Sequence, residues 1–371
     1  MTQKVVSLVS MLLICGSVAA EPVKHPSKST AALPLPAPKE TKSAPKEPPA
    51  NELFGSATSP APLASRAIGS YARGCLAGGV ALPINGPDWQ VMRLSRNRNW
   101  GHPRLLDFLE RFAADARNLD GWPGLLVGDM SQPRGGPMVT GHSSHQIGLD
   151  VDIWLTPMPD RVLTTEERES MVAGSMLKDP FTVDPDKWSP LHTKLLKRAA
   201  SYPEVDRIFV HPAIKKVLCE QAGEDRAWLA KVRPWWNHYY HFHVRVTCPP
   251  GASDCEPQKP LSGDDGCGEE LKWYGMLEKA ATAGAGQPAT GVVRKSSLTM
   301  SKLPRECGTV LTAGGFEPPV PGNADHLPEP VLKALASKET GPPPPKLDAA
   351  ARRALLASST KVPLPQRNPQ R

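Results

Sequence analysis

The sequence predicts an α+β fold, a single domain with a small central antiparallel sheet, flanking helices and three disulfides. Short segments of strand periodicity alternate with helical ones, and several are joined by hairpin-like connections. Many of the 42 prolines crowd at the two ends of the chain and leave one globular region between them. Six of the seven cysteines lie beyond the first twenty residues, an even number that suits three disulfides in an exported chain.

The first twenty residues have the pattern of a cleavable secretory signal. "MTQKVVSLVSMLLICGSVAA" joins an early lysine, an apolar run too short to span a bilayer, and a small-residue cleavage site ending at Ala20. Cys15 does not fit a lipidation site, because Ile14 precedes it where a small residue is required. We therefore expect export to the periplasm, with residues 1–20 removed.

Composition divides the rest of the chain into three parts. Residues 21–65 are rich in Pro, Ala and Lys and predict a linker, and residues 316–371 predict a Pro-rich disordered tail. Neither stretch can bury enough apolar surface to offset the entropy of ordering. The globular domain is therefore expected over residues 66–315.

Net charge and hydropathy limit the classes of binding partner that suit this chain. The chain carries a net charge of +7 and a pI near 9.0, which suits a polyanionic neighbour such as a cell wall or an acidic lipid surface. Export argues against nucleic acid. A second run of about twenty apolar residues is absent from the sequence, so we expect no stable membrane insertion.

Periodicity predicts the elements of the globular region in order. The stripe of Leu105, Leu109 and Phe112 in "HPRLLDFLERFAADARNLDG" predicts an amphipathic helix. "GLLVGDM" and "GLDVDIWL" predict strands, the second with Asp150 and Asp152 on one face. Further helices are predicted for "SPLHTKLLKRAASYP", "PAIKKVLCEQAG" and "EDRAWLAKVRPWW", the last ended by a proline, and further strands for "RIFVH" and "YHFHVRVTC".

Two clusters about ninety residues apart carry the chemistry. They comprise His142, His145, Asp150 and Asp152 in "GHSSHQIGLDVD", and His238, His241 and His243 in "WWNHYYHFHVRV". Imidazole nitrogens with one carboxylate oxygen form the ligand set that a catalytic zinc prefers. Outside these clusters, His102, His192 and His211 are expected to be surface histidines or core histidines with satisfied hydrogen bonds.

These motifs are recognisable. His145 with Asp152 seven residues later, and His241-x-His243 on a late strand, resemble the zinc peptidases that act on D-amino-acid peptides of the cell wall, a group with D-Ala-D-Ala carboxypeptidases and dipeptidases and the hedgehog amino-terminal domain. "GHSSHQIGLDVDIW", "RIFVHPAIKKVLC", "KVRPWWNHYYHFHVR" and "GDDGCGEE" are more closely similar to the penicillin-insensitive murein endopeptidases. The resemblance covers about residues 70 to 310.

The resemblance implies zinc as cofactor, with His145, Asp152 and His243 as ligands. His142 is then an accessory ligand or the partner of a ligand, and Asp150 orients a ligand histidine. His241 or His238 would be the general base, and the sequence leaves that choice open.

The implied reaction is hydrolysis of the D-alanyl-meso-diaminopimelyl cross-link of peptidoglycan, without an acyl-enzyme and so insensitive to penicillin. Arg134 is a candidate for holding a substrate carboxylate or oxyanion, with a plain surface arginine as the alternative. Trp236, with its neighbours Trp235, Tyr239 and Tyr240, either walls the peptide groove or packs in the core. The same resemblance pairs Cys75 with Cys307, Cys219 with Cys267, and Cys248 with Cys255.

Three other functions are compatible with parts of the sequence. "SMLK" at residues 175–178 matches the S-x-x-K of serine penicillin-binding proteins, but the S-D-N and K-T-G partners are absent from the sequence, as is the H-E-x-x-H of other zinc proteases. A zinc D,D-carboxypeptidase acting on terminal D-Ala would keep the same site. An inactive wall-binding module would be expected to have lost part of its ligand set, whereas all the assigned residues are present.

Overall fold

The computed structural model describes residues 48–140, 142–282 and 298–317. The chain divides into residues 1–46 and 47–371, and all the described residues lie in the second unit. The predicted signal at 1–20 and the predicted tail, apart from residues 316 and 317, lie outside the described residues.

Seven helices and twelve strands make up the described part of the chain. The helices are α1 (Ala50–Gly55), α2 (Pro103–Asp120), α3 (Thr165–Ser170), α4 (Pro190–Ser201), α5 (Pro212–Gln221), α6 (Glu269–Thr282) and α7 (Glu306–Thr312). The strands are β1 (Arg66–Ser70), β2 (Arg73–Ala77), β3 (Val80–Ala81), β4 (Trp89–Val91), β5 (Trp100–Gly101), β6 (Leu125–Val127), β7 (Asp150–Trp154), β8 (Leu177–Asp179), β9 (Thr182–Val183), β10 (Val205–Val210), β11 (Val232–Pro234) and β12 (His241–Val246). Short 3-10 turns occupy Leu94–Arg96, Ala227–Lys231, Met300–Lys302 and Ala313–Gly315.

The largest sheet has six strands in the order β11-β10-β12-β7-β6-β4. The four middle strands are antiparallel, as the sequence predicts. The two edges depart from the predicted antiparallel arrangement, because β11 runs parallel to β10 and β4 runs parallel to β6. Hydrophobic alternation cannot distinguish the two directions, because it records which face is buried and not which strand lies alongside.

The register between β7 and β12 divides the sheet into an apolar and a polar face. His243 lies opposite Asp152, and Arg245 lies opposite Asp150. Opposed residues of an antiparallel pair project to the same face, and the face reverses at every step. Both aspartates therefore share one face with both histidines of β12, as their spacing predicts.

The apolar face packs against α2 and α4. Phe112 of α2 meets Phe242 of β12 edge-to-face at 6.4 Å between ring centroids. The hydrophobic core formed here includes residues from both helices and from the middle strands, among them Leu105, Leu109, Val127, Val151, Ile153, Leu195, Leu196 and Val244. This burial supplies the hydrophobic free energy that holds the sheet, at roughly 25 cal/mol per Å² of apolar surface.

Three histidines outside the two clusters accept hydrogen bonds from backbone N–H groups at the N-termini of helices. The Nδ1 atoms of His102 and His211 accept from the backbone N–H groups of Arg104 and Ala213, so these side chains cap α2 and α5. His192 accepts at Nδ1 from the N–H of Ser189 at the start of α4. All three are structural histidines, as expected from the sequence.

The helix predicted for "EDRAWLAKVRPWW" is not formed. The segment makes a 3-10 turn at Ala227–Lys231 and then the edge strand β11. Val232 is fully buried beside β10, and Pro234, which has no N–H to donate, takes an edge-strand position that tolerates proline. Pairing with β10 therefore outweighs the local helical periodicity.

A second, smaller core joins the two ends of the described chain. Helix α1 lies within residues 21–65, where the sequence predicts a linker, and that prediction is wrong for this part. Leu53 and Phe54 are buried in a cluster that also contains Cys75 and Cys307. Phe54 sits on Gly136, where a Cβ would come within 2.2 Å of the ring. Leu53 and Phe54, although they lie in a proline-rich stretch, are thus buried against a distant part of the chain, which composition alone does not predict.

The three implied cysteine pairs lie at disulfide distance. The Cα atoms are 5.6 Å apart for Cys75 and Cys307, 5.9 Å for Cys219 and Cys267, and 5.8 Å for Cys248 and Cys255. No helix in the described part of the chain is long and apolar enough to cross a membrane.

Candidate metal centre

Strands β7 and β12 and the loop before β7 bring the predicted site residues together. Asp152 and His243 project from the polar face of the sheet, while His142 and His145 lie in the loop that enters β7. His145 has a φ of 66°, a left-handed conformation that is uncommon outside glycine. The N–H of His145 donates to Oδ2 of Asp150 at 3.0 Å, which fixes this loop residue to the sheet.

Asp152 lies among four imidazole rings. Its Oδ1 is 3.4 Å from Nε2 of His145 and 3.1 Å from Nδ1 of His243. Its Oδ2 is 3.5 Å from Nδ1 of His142 and 3.6 Å from Nε2 of His241. Ligand atoms of His142, His145 and Asp152 all lie within 4.8 Å of one another, so a single cation could contact all three.

Apart from those of the part-exposed His142, these donor atoms are buried, and several lack a hydrogen-bond partner among the described residues. The atoms without a partner include Nδ1 and Nε2 of His145, Oδ1 of Asp152 and Nδ1 of His241. A buried polar atom without a partner costs free energy, and most native structures avoid it. Nitrogen and carboxylate lone pairs that lie close together without hydrogen bonds fit a central divalent metal ion, and imidazole with carboxylate is a ligand set that zinc can occupy.

Asp150 connects His243 to an arginine. Arg245 donates to both carboxylate oxygens of Asp150, at 2.7 Å and 3.2 Å. Nε2 of His243 lies 3.1 Å from Oδ1 of Asp150, at ion-pair distance. This carboxylate holds the ring so that Nδ1 points toward Asp152, the arrangement by which an outer carboxylate orients a metal-binding histidine.

The electrostatics of the cluster favour a cation. Burial would raise the pKa of Asp152, but His145, His241 and His142 outweigh it and hold that pKa well below its usual range. Burial likewise opposes ionisation of Asp150, and Arg245 and His243 overcome it, so its pKa is also lowered. Both buried carboxylates are therefore ionised at neutral pH.

The histidines respond in two ways. Burial lowers the pKa of His145, and it lowers the pKa of His241 to about 4. Burial also acts to lower the pKa of His243, but Asp150 and Asp152 outweigh it and leave the pKa above its ordinary value. Positive charge is thus favoured between the two carboxylates, while His145 and His241 offer neutral, lone-pair-bearing rings.

His238 lies at the outer side of the cluster. Its ring centroid is 4.9 Å from that of His241, and its Nδ1 donates to the carbonyl of Trp236 at 2.6 Å. Burial, followed by the neighbouring His241, holds the pKa of His238 well below its ordinary value. Its Nε2 therefore carries a lone pair at neutral pH, as does one ring nitrogen of His241.

An aromatic ledge borders this side. We use that name for Trp236, Trp273 and Tyr274, whose ring centroids lie 5.4 to 5.9 Å apart. Trp236 is 38% exposed. Trp235 is exposed beside it and contacts Phe209, whose ring is 5.3 Å from His243. The ledge therefore offers apolar surface next to the cluster.

Arg134 is not at this site. Its guanidinium is buried and donates to the carbonyls of Ser59, Val310, Leu311 and Ala313, at 2.9 to 3.1 Å. It thereby satisfies carbonyl groups at the end of α7, which have no partner within the helix. These contacts give Arg134 a structural role in place of the substrate-binding one considered from the sequence.

The sequence reasoning missed two groups that touch the cluster. Arg245 lies two residues beyond His243, so the strand period that placed His241 and His243 on one face could have found it. Asp129 follows β6, and its Oδ2 accepts from Nε2 of His142 at 3.1 Å. No sequence signal links Asp129 to His142, because their contact depends on how the end of β6 packs against the loop before β7.

The buried His and Asp cluster on the polar face of the sheet could hold a cation, and comparison with known proteins identifies the chain as a peptidase. The sequence model described as "Penicillin-insensitive murein endopeptidase" matches residues 67–312, and the chain belongs to this family.

Relatives carry the same name. The chain is 48% identical to the penicillin-insensitive murein endopeptidase of Haemophilus influenzae over 210 residues, which cover 56% of this chain and 72% of the relative. It is 44% identical to that of Klebsiella pneumoniae over 218 residues, 58% and 79% of the two chains. It is 40% identical to that of Escherichia coli over 255 residues, 68% and 89% of the two chains.

Proposed function

We propose that this protein is a zinc-dependent D,D-endopeptidase that hydrolyses the D-alanyl-meso-diaminopimelyl cross-links of peptidoglycan and is insensitive to penicillin. Family membership makes it a peptidase, and the names of its relatives point to murein as the substrate. The observation that carries the metal is the set of buried, unpartnered nitrogen and oxygen atoms around Asp152.

His145, Asp152 and His243 would hold the zinc, with His142 as an accessory ligand. The nearest ring nitrogens of the three histidines lie 3.1 to 3.5 Å from the carboxylate oxygens of Asp152. When bound, zinc supplies Lewis-acid polarisation of a carbonyl and makes water acidic enough to attack near neutral pH. Asp150 keeps the His243 ring turned toward the site.

His241 and His238 are the candidates for the general base. Lowered pKa values leave both rings neutral at pH 7, so either can accept a proton from the attacking water. His241 is the first choice, because its Nε2 lies 3.6 Å from Oδ2 of Asp152. The protonated ring would then pass the proton to the leaving amine of the diaminopimelyl residue.

The aromatic ledge would bind the peptide stem. Trp236 combines an exposed face with a position next to His238, and apolar contact there would orient the scissile bond toward the cluster. The predicted signal, the disulfides and a murein substrate support a location outside the cytoplasm, and we propose the periplasm.

Digestion of purified cross-linked muropeptides tests the proposal. The mature protein is incubated with and without a chelator and with penicillin, and the products are resolved by mass. We expect cross-linked dimers to become monomers, EDTA to stop this, zinc to restore it, and penicillin to have no effect.

The other products would contradict parts of the proposal. Accumulation of free D-alanine while dimers persist would make the protein a D,D-carboxypeptidase. The absence of cleavage by zinc-loaded, disulfide-intact protein would favour a wall-binding module. Penicillin sensitivity would contradict a mechanism without an acyl-enzyme.

A further inference from the structure

The two loop-borne histidines of the cluster are held differently from those on strands. Strand β12 is fixed by its pairing with β7 and β10, whereas His142 lies in a loop without regular structure. His145 is tied to the sheet through its backbone, by the bond to Asp150. His142 therefore depends on other contacts to hold its ring in place.

Asp129 makes that contact. It lies just past the end of β6, and its carbonyl accepts from the N–H of Asp152 at 2.9 Å, so it lies beside Asp152. Its carboxylate is buried, and Oδ2 accepts from Nε2 of His142 at 3.1 Å. A carboxylate oxygen accepts this hydrogen bond, so Nε2 of His142 donates it, and in the neutral ring Nδ1 then carries the lone pair.

That lone pair faces another acceptor. Nδ1 of His142 lies 3.5 Å from Oδ2 of Asp152, and two unprotonated atoms at this distance repel unless a cation lies between them. The contact with Asp129 therefore selects the ring state in which His142 can bind a cation together with Asp152.

Arg98 holds Asp129 in place. It donates to the same Oδ2 at 2.7 Å, and its second nitrogen donates to the carbonyl and hydroxyl oxygens of Thr140, two residues before His142. One buried arginine thus ties the loop and the carboxylate to each other. Arg96 also contacts this oxygen, at 3.1 Å.

We propose that Asp129, clamped by Arg98, is the positioning residue of His142 and turns its Nδ1 toward Asp152 for metal binding. This inference rests on the proposed metal site and adds a residue to it. Asp129 acts through His142 and does not touch the metal. Outer carboxylates of this kind typically contribute ten- to a hundredfold to metal affinity.

A double-mutant cycle on the full mature protein tests this. The variants are Asp129→Ala, His142→Ala and the double variant, and the measurement is the Co²⁺ dissociation constant by competition with a chelating dye. We expect Asp129→Ala to weaken Co²⁺ binding ten- to a hundredfold in the wild-type background, and by less than twofold when His142 is already alanine. Equal losses in both backgrounds, or a change below twofold in the first, overturn the proposal.

Asp120→Asn is the matched control. Asp120 pairs with Arg198 at 2.7 Å, on α2 and α4 away from the cluster, so its loss should leave Co²⁺ affinity unchanged. Failure of the wild-type protein to bind Co²⁺ would remove the proposed metal itself. Normal wild-type binding with an unaffected Asp129→Ala variant would remove only the role of Asp129.

A measurement on the wild-type protein keeps the test independent of variant folding. Two-bond ¹H–¹⁵N correlation spectra of the Zn²⁺-loaded protein, assigned with His142→Gln, report which ring nitrogen of His142 carries the proton. Protonation at Nε2 is expected, and protonation at Nδ1 overturns the proposal.

Discussion

Asp152 and His243 lie directly opposite each other on adjacent antiparallel strands, with 3.1 Å between Oδ1 and Nδ1. The two residues are 91 positions apart in the sequence, so the pairing of their strands is what brings them together. The apolar residues on the reverse of the same strands set this register, because Val151 and Val244 are opposed there and fully buried. Core packing therefore also determines which polar groups meet at the site.

Asp152→Asn should abolish metal binding and cleavage. The substitution keeps the shape of the side chain but removes the charge that four imidazoles surround, so we expect a loss of at least about a hundredfold in Co²⁺ affinity and in muropeptide hydrolysis. Metal content and product mass measure the two effects. Retained metal in a folded Asp152→Asn variant would show that the ligand set is wrong.

Arg245→Met should destabilise the fold strongly. Asp150 is fully buried and pairs with Arg245, so removal of the arginine leaves this buried charge with only His243 and the N–H of His145 as partners, at a cost of about 3–5 kcal/mol of unfolding free energy. Arg66→Met is the comparison, because the Arg66–Asp254 pair is exposed and should cost less than about 1 kcal/mol. Denaturant unfolding of both variants measures the two losses of unfolding free energy. Equal losses would contradict the role of Arg245 as the partner of a buried charge.

His192 should make the fold sensitive to mild acid. It lies between Trp122 and Trp188, accepts from Ser189 at Nδ1 and donates from Nε2 to Leu155, so only the neutral ring fits. Burial lowers its pKa from 6.5 to about 4. The unfolded chain therefore binds this proton first as pH falls, and the stabilisation present above about pH 6.5 is lost progressively toward pH 4.

The size of this effect follows from that difference. Between pH 7 and pH 5 the wild-type protein should lose about 2 kcal/mol more unfolding free energy than His192→Gln. Denaturant unfolding at the two pH values measures it, and the variant subtracts the contribution of all other groups. Identical pH dependence in both proteins would contradict the prediction.

The Cys75–Cys307 disulfide should stabilise the domain more than Cys248–Cys255. The pairs close loops of 232 and 7 residues, for which the chain-entropy argument gives about 5 and about 2 kcal/mol. Double alanine variants of each pair, unfolded by denaturant under non-reducing conditions, provide the comparison. A larger loss for the short loop would reverse the expected order.

Trp236→Ala should weaken substrate binding without affecting the metal. Loss of the exposed ring from the aromatic ledge is expected to raise KM about tenfold with little change in kcat, because the contact is made equally in ground and transition states. Zinc content should equal that of the wild type. Leu119→Ala, an exposed apolar residue on α2, is the control, and an unchanged KM in Trp236→Ala would remove the ledge from the binding site.

The fold was predictable where a local pattern dominates. Helix α2 follows from its apolar stripe, and Asp150 and Asp152 share a face because side chains alternate along a strand. Prediction went wrong at residues 227–234, where pairing with β10 made a strand, and at residues 50–55, where a second core captured α1. In both places a distant surface outweighed the local signal.

The sequence by itself determined which residue types could form the site and which faces of β7 and β12 they occupy, because strand period and composition are local properties. Only the tertiary structure decided that Asp152 lies among four histidines and that Arg245 pairs with Asp150. It also decided that Asp129 bonds to His142 and that Arg134 donates to carbonyl groups at the end of α7. Those contacts join residues far apart in the chain. Their geometry follows from how the apolar faces pack, which no local pattern records.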